Sequence, residues 1–212
     1  MIEAFIGDNM QKSSFLFLLL LFGTALLAAY QTSLTADPNQ AMVRAMGLVG
    51  FFILCVSLVI GPLVVLNAAF FAPLLEPRRA VGIAAFVFAA MHILLMIGPY
   101  FNYSITPILS LFPLQLGAVM LVLLVALTLT SCDWAQKKLG TGLWKNIQRT
   151  NYIVFVLALT HFILQANGLN ASRLNLSEAA LLLLGVITAI LQLVGAWMRH
   201  KRGTPEAIAG KT

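Results

Sequence analysis

The stretch LWKNIQRTNYIVFVLALTHFILQ, residues 143–165, decides the fold class. Its first part is basic, aromatic and rich in amides, and the part after Asn151 is an apolar run that contains one histidine, His161. Positive charge beside an apolar run is typical of the cytoplasmic end of a transmembrane helix. The segment therefore predicts a helix that enters the membrane from the cytoplasm and carries an imidazole inside the bilayer.

The composition of the whole chain also indicates a membrane protein. Of its 212 residues, 60% are hydrophobic and only 9% are charged, and the mean hydropathy is +0.94. A soluble domain of this size needs more polar surface. We therefore predict an all-α integral membrane protein with six transmembrane helices in a bundle, since about 20 apolar residues cross a bilayer. The predicted spans are 13–30, 45–70, 80–98, 109–130, 151–167 and 178–198.

The distribution of basic residues predicts the orientation. The formal charge of +6 does not indicate nucleic-acid binding, because the basic residues are scattered at helix ends. With the N-terminus inside, only Arg44 and Arg173 fall outside, as the positive-inside rule requires. We predict a cytoplasmic segment at 1–12, the transmembrane domain at 13–198 and a basic cytoplasmic tail at 199–212. The basic residues on the inner side are Lys12, Arg78, Arg79, Lys137, Lys138, Lys145, Arg149, Arg199, Lys201, Arg202 and Lys211.

Two histidines lie deep in the predicted spans, His92 in 80–98 and His161 in 151–167. Ionisable groups inside a bilayer are costly and indicate a functional site. The two spans run in the same direction. His92 lies about 12 residues and His161 about 10 residues from the cytoplasmic start, so at about 1.5 Å per residue both are roughly 15–18 Å into the membrane. The third histidine, His200, is predicted to be solvated in the basic tail.

Depth and spacing alone leave two interpretations of the histidine pair open. Imidazoles at one level on two helices can bind the iron of a haem from both faces. Alternatively, each histidine bonds separately to a polar group across a helix interface. Small neighbours such as Ala89 and Ala158 leave room for a flat ligand, although small residues are also common in helix packing. Zinc is less suitable, because it takes about four ligands.

Three segments of the chain, 34–63, 76–95 and 130–162, resemble the ferric-reductase-like transmembrane superfamily, and above all its MsrQ branch of haem-binding membrane subunits. The branch serves bacterial periplasmic methionine sulfoxide reductase systems. The likeness runs from about residue 35 to 165, and the order and spacing of its motifs are specific. The matching points are Ala36–Asp37–Pro38, Pro62, Arg78–Arg79, Gly82, His92, Thr130–Ser131, Leu139–Gly140, Trp144, Tyr152 and His161.

The resemblance implies that His92 and His161 are the axial ligands of one b-type haem. It implies a multi-pass protein of the bacterial inner membrane that passes electrons from a quinol or flavin donor to an acceptor at the outer face. The chain is then an oxidoreductase electron-transfer subunit rather than a self-contained enzyme. Besides the lipid bilayer, its implied partners are a quinol and a periplasmic redox protein of the molybdopterin reductase class.

The sequence departs from the MsrQ pattern at Gln148. Related sequences carry a further histidine there, 13 residues before the deeper one, within a motif that reads WKNIQRTNY here. Glutamine lacks an imidazole nitrogen, so the inner haem site has lost its ligand. Related single-haem reductases hold a flavin at this level. The amide of Gln148 suits the edge of a flavin ring, and Arg78, Arg79, Lys145 and Arg149 suit its phosphate. Alternatively, these cations only set the orientation and bind lipid headgroups.

The loss of one haem ligand also leaves an alternative function open. A degenerate relative would keep the remaining histidines for packing and act in membrane assembly, transport or structure without redox chemistry. A transporter would usually show broken helices or an intramembrane charge, and the sequence indicates neither.

Overall fold

The computed structural model describes residue 34 and residues 37–165 and 175–202. Throughout these parts the chain is helical, with no strand. Three short helical turns, at Ala68–Phe71, Ala72–Leu75 and Thr106–Ser110, lie in the connections. The long helices are α1 (Pro38–Leu66), α2 (Arg78–Leu95, continued by a π-helical turn at Met96–Tyr100), α3 (Phe112–Leu129), α4 (Asp133–Arg149), α5 (Asn151–Gln165) and α6 (Leu176–Arg202).

Five candidate membrane spans lie in the described residues, with α4 and α5 counted as one. The all-α membrane class is therefore confirmed. The predicted first span, 13–30, and the segment 1–12 lie outside the described residues, as does most of the tail 199–212. The sixth span and the cytoplasmic position of both termini stay predictions. We call the end at which α1, α3 and α6 begin the outer end, after the predicted orientation.

The first described span is shifted from the predicted range 45–70. α1 begins at Pro38, because the Asp37 carboxylate caps it by accepting a hydrogen bond from the backbone N–H of Asn39 at 2.9 Å. An aspartate cap followed by proline is a strong helix start. α1 ends at Leu66, because Asn67 is extended and caps the next short turn through the N–H of Phe70. Capping, which a hydropathy window does not detect, sets both boundaries.

Helix α1 is the centre of the bundle. It packs most extensively against α2 and α6, while α3 packs against α5. Val49 and Leu58 of α1 are 0% and 1% exposed. By contrast, apolar side chains on the outer helices, such as Val122 and Leu193, are 69% and 71% exposed. Apolar exposure on this scale suits a surface that faces lipid.

Proline 62 produces a polar interaction between α1 and α6. Because proline has no N–H, it cannot bond to the carbonyl four residues earlier, that of Leu58. The Gln192 side chain of α6 donates to this carbonyl at 2.6 Å. A Cβ atom on Gly195 would lie 3.2 Å from Cα of Pro62, so the glycine lets α6 approach closely. Within lipid, neighbouring helices commonly satisfy backbone groups that proline frees.

Helix α4 lies at the inner end and is bent at Gly140, whose φ is +73°. Side-chain contacts with α2 and with the end of α3 hold it to the bundle. The Trp144 indole donates to the carbonyl of Thr130 at 2.9 Å, and the Arg79 guanidinium donates to the Asp133 carboxylate. The hydrogen bond from Arg79, and then its charge, hold the pKa of the exposed Asp133 carboxyl below its ordinary value. These contacts place the starts of α2 and α4 at the same end of the bundle.

Candidate functional site

Each of the two deep histidines is held by a helix other than its own. His92 on α2 has its Nδ1 atom 2.7 Å from the carbonyl oxygen of Val43 on α1. His161 on α5 has its Nδ1 atom 2.7 Å from the carbonyl oxygen of Pro113 on α3. A carbonyl only accepts, so each Nδ1 carries the proton and donates. Each Nε2 then carries a lone pair, which is the arrangement of a metal-ligating histidine.

The structure brings His92 and His161 together. Their ring centroids are 6.4 Å apart, and the ring planes make an angle of 83°. With about 2 Å from a metal to each ring nitrogen and about 1.2 Å from nitrogen to ring centre, two imidazoles on opposite sides of one metal have centres about 6.4 Å apart. The observed separation therefore matches that of two imidazoles that share one metal.

Two glycines make room for the imidazoles. A Cβ atom on Gly47 of α1 would lie 2.9 Å from Nδ1 and 3.0 Å from Cε1 of His92. These distances are too short for any side chain, so the position of His92 requires glycine at residue 47. A Cβ atom on Gly117 of α3 would lie 3.6 Å from Cε1 of His161, an ordinary contact. Gly47 was not predicted as a site residue, because its role depends on the rotation of α1 about its axis.

The histidines line a cavity of about 640 Å³ between α1, α2, α3 and α5. Ligand sites of about 300–1,000 Å³ hold molecules of cofactor size. Ala89 and Ala158, predicted to leave room for a flat ligand, both line it, and so does Phe51, which stacks on Phe162 with centroids 5.4 Å apart. The apolar walls, the small residues and the paired imidazoles fit a porphyrin. The polar lining residues near the outer end are Gln40, Arg44, Gln165 and Glu178.

The other predicted site residues do not line this cavity, and each has contacts of its own. The Gln148 amide nitrogen lies 3.3 Å from Oγ1 of Thr130 and 3.4 Å from the carbonyl of Leu127. Each arginine has a different partner. Arg78 donates to the carbonyl of Ser57 at 3.2 Å, Arg79 pairs with Asp133, and Arg149 donates to Asn146 at 3.0 Å.

A site for a bare metal ion is not found in the described residues, which contain no group of three or more His, Cys, Asp or Glu side chains that could hold one. His92 and His161 alone supply two ligands. Zinc is bound by about four, whereas a porphyrin supplies the other iron ligands itself. The donor set therefore suits haem iron better than a free ion.

Comparison with known proteins gives a family match that covers most of the helices around this site and ends two residues before His161. The sequence model of the family described as "Ferric reductase like transmembrane component" matches residues 46–159. The chain is 28% identical to "Protein-methionine-sulfoxide reductase heme-binding subunit MsrQ" of Herminiimonas arsenicoxydans over 201 residues, covering 92% of this chain and 88% of the relative. It is 33% identical to the Salmonella arizonae protein of that name over 165 residues (75% and 81%), and 30% identical to that of Bordetella pertussis over 176 residues (79% and 80%). No solved structure matches the chain.

Proposed function

Because the chain belongs to the family of ferric-reductase-like transmembrane components, we propose that it is a membrane electron-transfer protein that binds one b-type haem through His92 and His161. One observation carries the proposal: the two imidazoles stand 6.4 Å apart, each with its Nδ1 bound to a backbone carbonyl. Haem held there would accept and release one electron at a time, between a quinol or flavin donor and an acceptor at the outer face.

Residues around the two histidines set the orientation and basicity of the imidazoles and the polarity of their surroundings. The carbonyls of Val43 and Pro113 accept hydrogen bonds from the Nδ1–H groups, which keeps Nε2 of each histidine available and raises the basicity of the ligand. Most of the residues that line the cavity are apolar. A dry, low-dielectric surround and two neutral imidazoles are the features by which a protein tunes the potential of such a group.

The partners are proposed from the relatives. Their printed name is that of a haem-binding subunit of a protein-methionine-sulfoxide reductase. We propose that this chain likewise serves a soluble reductase on the outer side of the bacterial inner membrane, one of the molybdopterin class. The outer connection between α2 and α3 is short, and Tyr100 at the end of α2 and Phe101 at the start of the connection line the cavity. This connection offers a surface near the cavity rather than a catalytic domain.

A flavin at the inner end stays a prediction. The side chains proposed to hold it are engaged elsewhere, since Arg79 pairs with Asp133 and the Gln148 amide faces the end of α3. Acid extraction of the purified protein, followed by fluorescence detection of released flavin, tests the prediction. A stoichiometric yield would support it, and a clean absence would end it.

The haem proposal is tested by spectroscopy on membranes from an expressing strain. The wild type is expected to show a reduced-minus-oxidised b-type spectrum that is lost in both His92→Ala and His161→Ala. The matched control is His200→Ala, because this third histidine lies near the inner end of α6 and does not line the cavity. If the folded wild-type protein shows no haem spectrum, the non-redox alternative replaces the proposal.

A further inference from the structure

We propose that Arg44, held in place by Glu178, forms a carboxylate-binding site at the outer end of the cavity and takes one propionate of the bound haem. This inference rests on the haem site proposed above. Both residues lie outside residues 46–159, the part that the family model matches. The site therefore includes residues at the start of α1 and of α6 that the family match does not cover.

Arg44 is placed close to the level of the iron ligands. Arg44 comes directly after Val43, whose carbonyl oxygen is bonded to His92. It lies three residues before Gly47, which contacts the His92 ring. Residues three apart lie on nearly the same face of a helix. Arg44 is also the only lysine or arginine among the described residues that line the cavity. A carboxylate carried into this cavity therefore meets one cation.

Glu178 positions Arg44 and also caps α6. The backbone N–H of Asn175 donates to Oε2 of Glu178 at 3.2 Å, and the N–H of Glu178 donates to Oδ1 of Asn175 at 2.9 Å. This reciprocal pair is a capping box, which fixes the glutamate. Its other oxygen, Oε1, lies 3.7 Å from Nη2 of Arg44. The Glu178 side chain is only 10% exposed, so its carboxylate is held in a fixed position beside Arg44.

The Arg44 guanidinium keeps its hydrogen-bonding capacity for a ligand. The separation of 3.7 Å from Glu178 is an ion-pair contact that is longer than a hydrogen bond. Within the described parts of the chain Arg44 forms no hydrogen bond, although a guanidinium has five N–H donors that suit a carboxylate in bidentate geometry. Because 41% of the Arg44 side chain is exposed, a propionate can meet it where the cavity opens. Glu178 is thus a positioning residue, and Arg44 is the group that binds the carboxylate.

The first test compares haem with its dimethyl ester, which has the same ring and iron but no free carboxylates. Full-length protein in detergent is stripped of haem and titrated with each compound. The wild type is expected to prefer haem, and this preference is expected to fall about tenfold in Arg44→Gln, the effect of losing one charge-assisted hydrogen bond. Arg199→Gln is the matched control, because Arg199 lies near the inner end of α6, away from the cavity.

The second test measures the midpoint potential of the haem-loaded variants. Removing a positive charge beside the haem in Arg44→Gln is expected to lower the potential, and removing a negative charge in Glu178→Gln is expected to raise it. A purely structural role would not give opposite signs. Arg44→Lys, which keeps the charge but not the bidentate fork, is expected to stay nearer the wild-type potential than Arg44→Gln.

The outcomes separate this inference from the proposed function. If wild type binds no haem, the proposed function fails, and this inference fails with it. If wild type and Arg44→Gln bind haem and discriminate equally against the ester, only the propionate site is refuted. If Arg44→Gln binds neither compound, the wild-type titrations decide: equal affinity for haem and ester overturns the proposal, and a preference for haem supports it.

Discussion

Substituting Gly47 by alanine tests the geometry of the site at a single atom. The new Cβ would lie 2.9 Å from Nδ1 and 3.0 Å from Cε1 of His92, several tenths of an ångström inside normal contact. Either the imidazole turns away and loses its hydrogen bond to Val43, or α1 and α2 separate. Overpacking costs about 1–3 kcal/mol, and the hydrogen bond contributes about 0.5–1.5 kcal/mol. We expect Gly47→Ala to weaken haem binding by about 5- to 150-fold.

The assay is a haem titration of stripped, detergent-solubilised protein, with fluorescence-detected size exclusion to confirm folding. Two matched glycine-to-alanine substitutions serve as controls with smaller expected losses of haem affinity. Gly117→Ala adds an ordinary contact at 3.6 Å from His161 and is expected to have a small effect, and Gly142→Ala in α4 has no neighbour within 4 Å and is expected to have none on haem. Wild-type haem affinity in Gly47→Ala, or a larger loss in Gly117→Ala, would refute the reasoning.

Two further predictions concern other parts of the bundle. Gln192→Ala leaves the carbonyl of Leu58 without its donor and is expected to destabilise the protein by about 0.6–2 kcal/mol, the span for hydrogen bonds between transmembrane helices. Thermal unfolding in detergent measures the change in stability, and an unchanged unfolding midpoint contradicts the expectation. Gln148→His introduces at the inner end the histidine that the resemblance implies for related sequences. It is expected to leave the haem content at one per chain, because residue 148 does not line the cavity that holds His92 and His161. Pyridine haemochrome analysis measures the content, and two haems per chain would contradict this expectation.

Much of the architecture could be predicted from the sequence, because hydropathy in a membrane protein reports directly on burial in lipid. The common level of His92 and His161 followed from helix rise and span direction alone. Hydropathy located the start of α1 less well, because Asp37 and Pro38 begin the helix before the apolar run. The hydrogen bond of the Asp37 cap, and not the mean hydropathy of the segment, determines where this helix begins.

The contacts that depend on helix rotation and tertiary packing could not be predicted. Arg44 was identified only as an exception to the charge rule, since its partner Glu178 lies 134 positions later and on another helix. The role of Gln192 could not be predicted, because its partner, the Leu58 carbonyl freed by Pro62, is defined only by the packing of α6 against α1. Arg78, Arg79 and Arg149 were predicted to meet one phosphate, but each reaches a different partner. Arg78 and Arg79 are successive helix positions that point in different directions, and Arg149 lies on another helix.

The two histidine–carbonyl hydrogen bonds each lie within one pair of helices, so the site consists of two halves. Val43 and His92 belong to α1 and α2, which pack directly together, and Pro113 and His161 belong to α3 and α5, which also pack together. During synthesis the first half is complete before α5 has left the ribosome, so each ligand is oriented by an earlier segment of its own half. Iron bound by both rings would then link the α1–α2 pair to the α3–α5 pair, and loss of the iron would weaken the contacts between the two pairs more than the contacts within either pair.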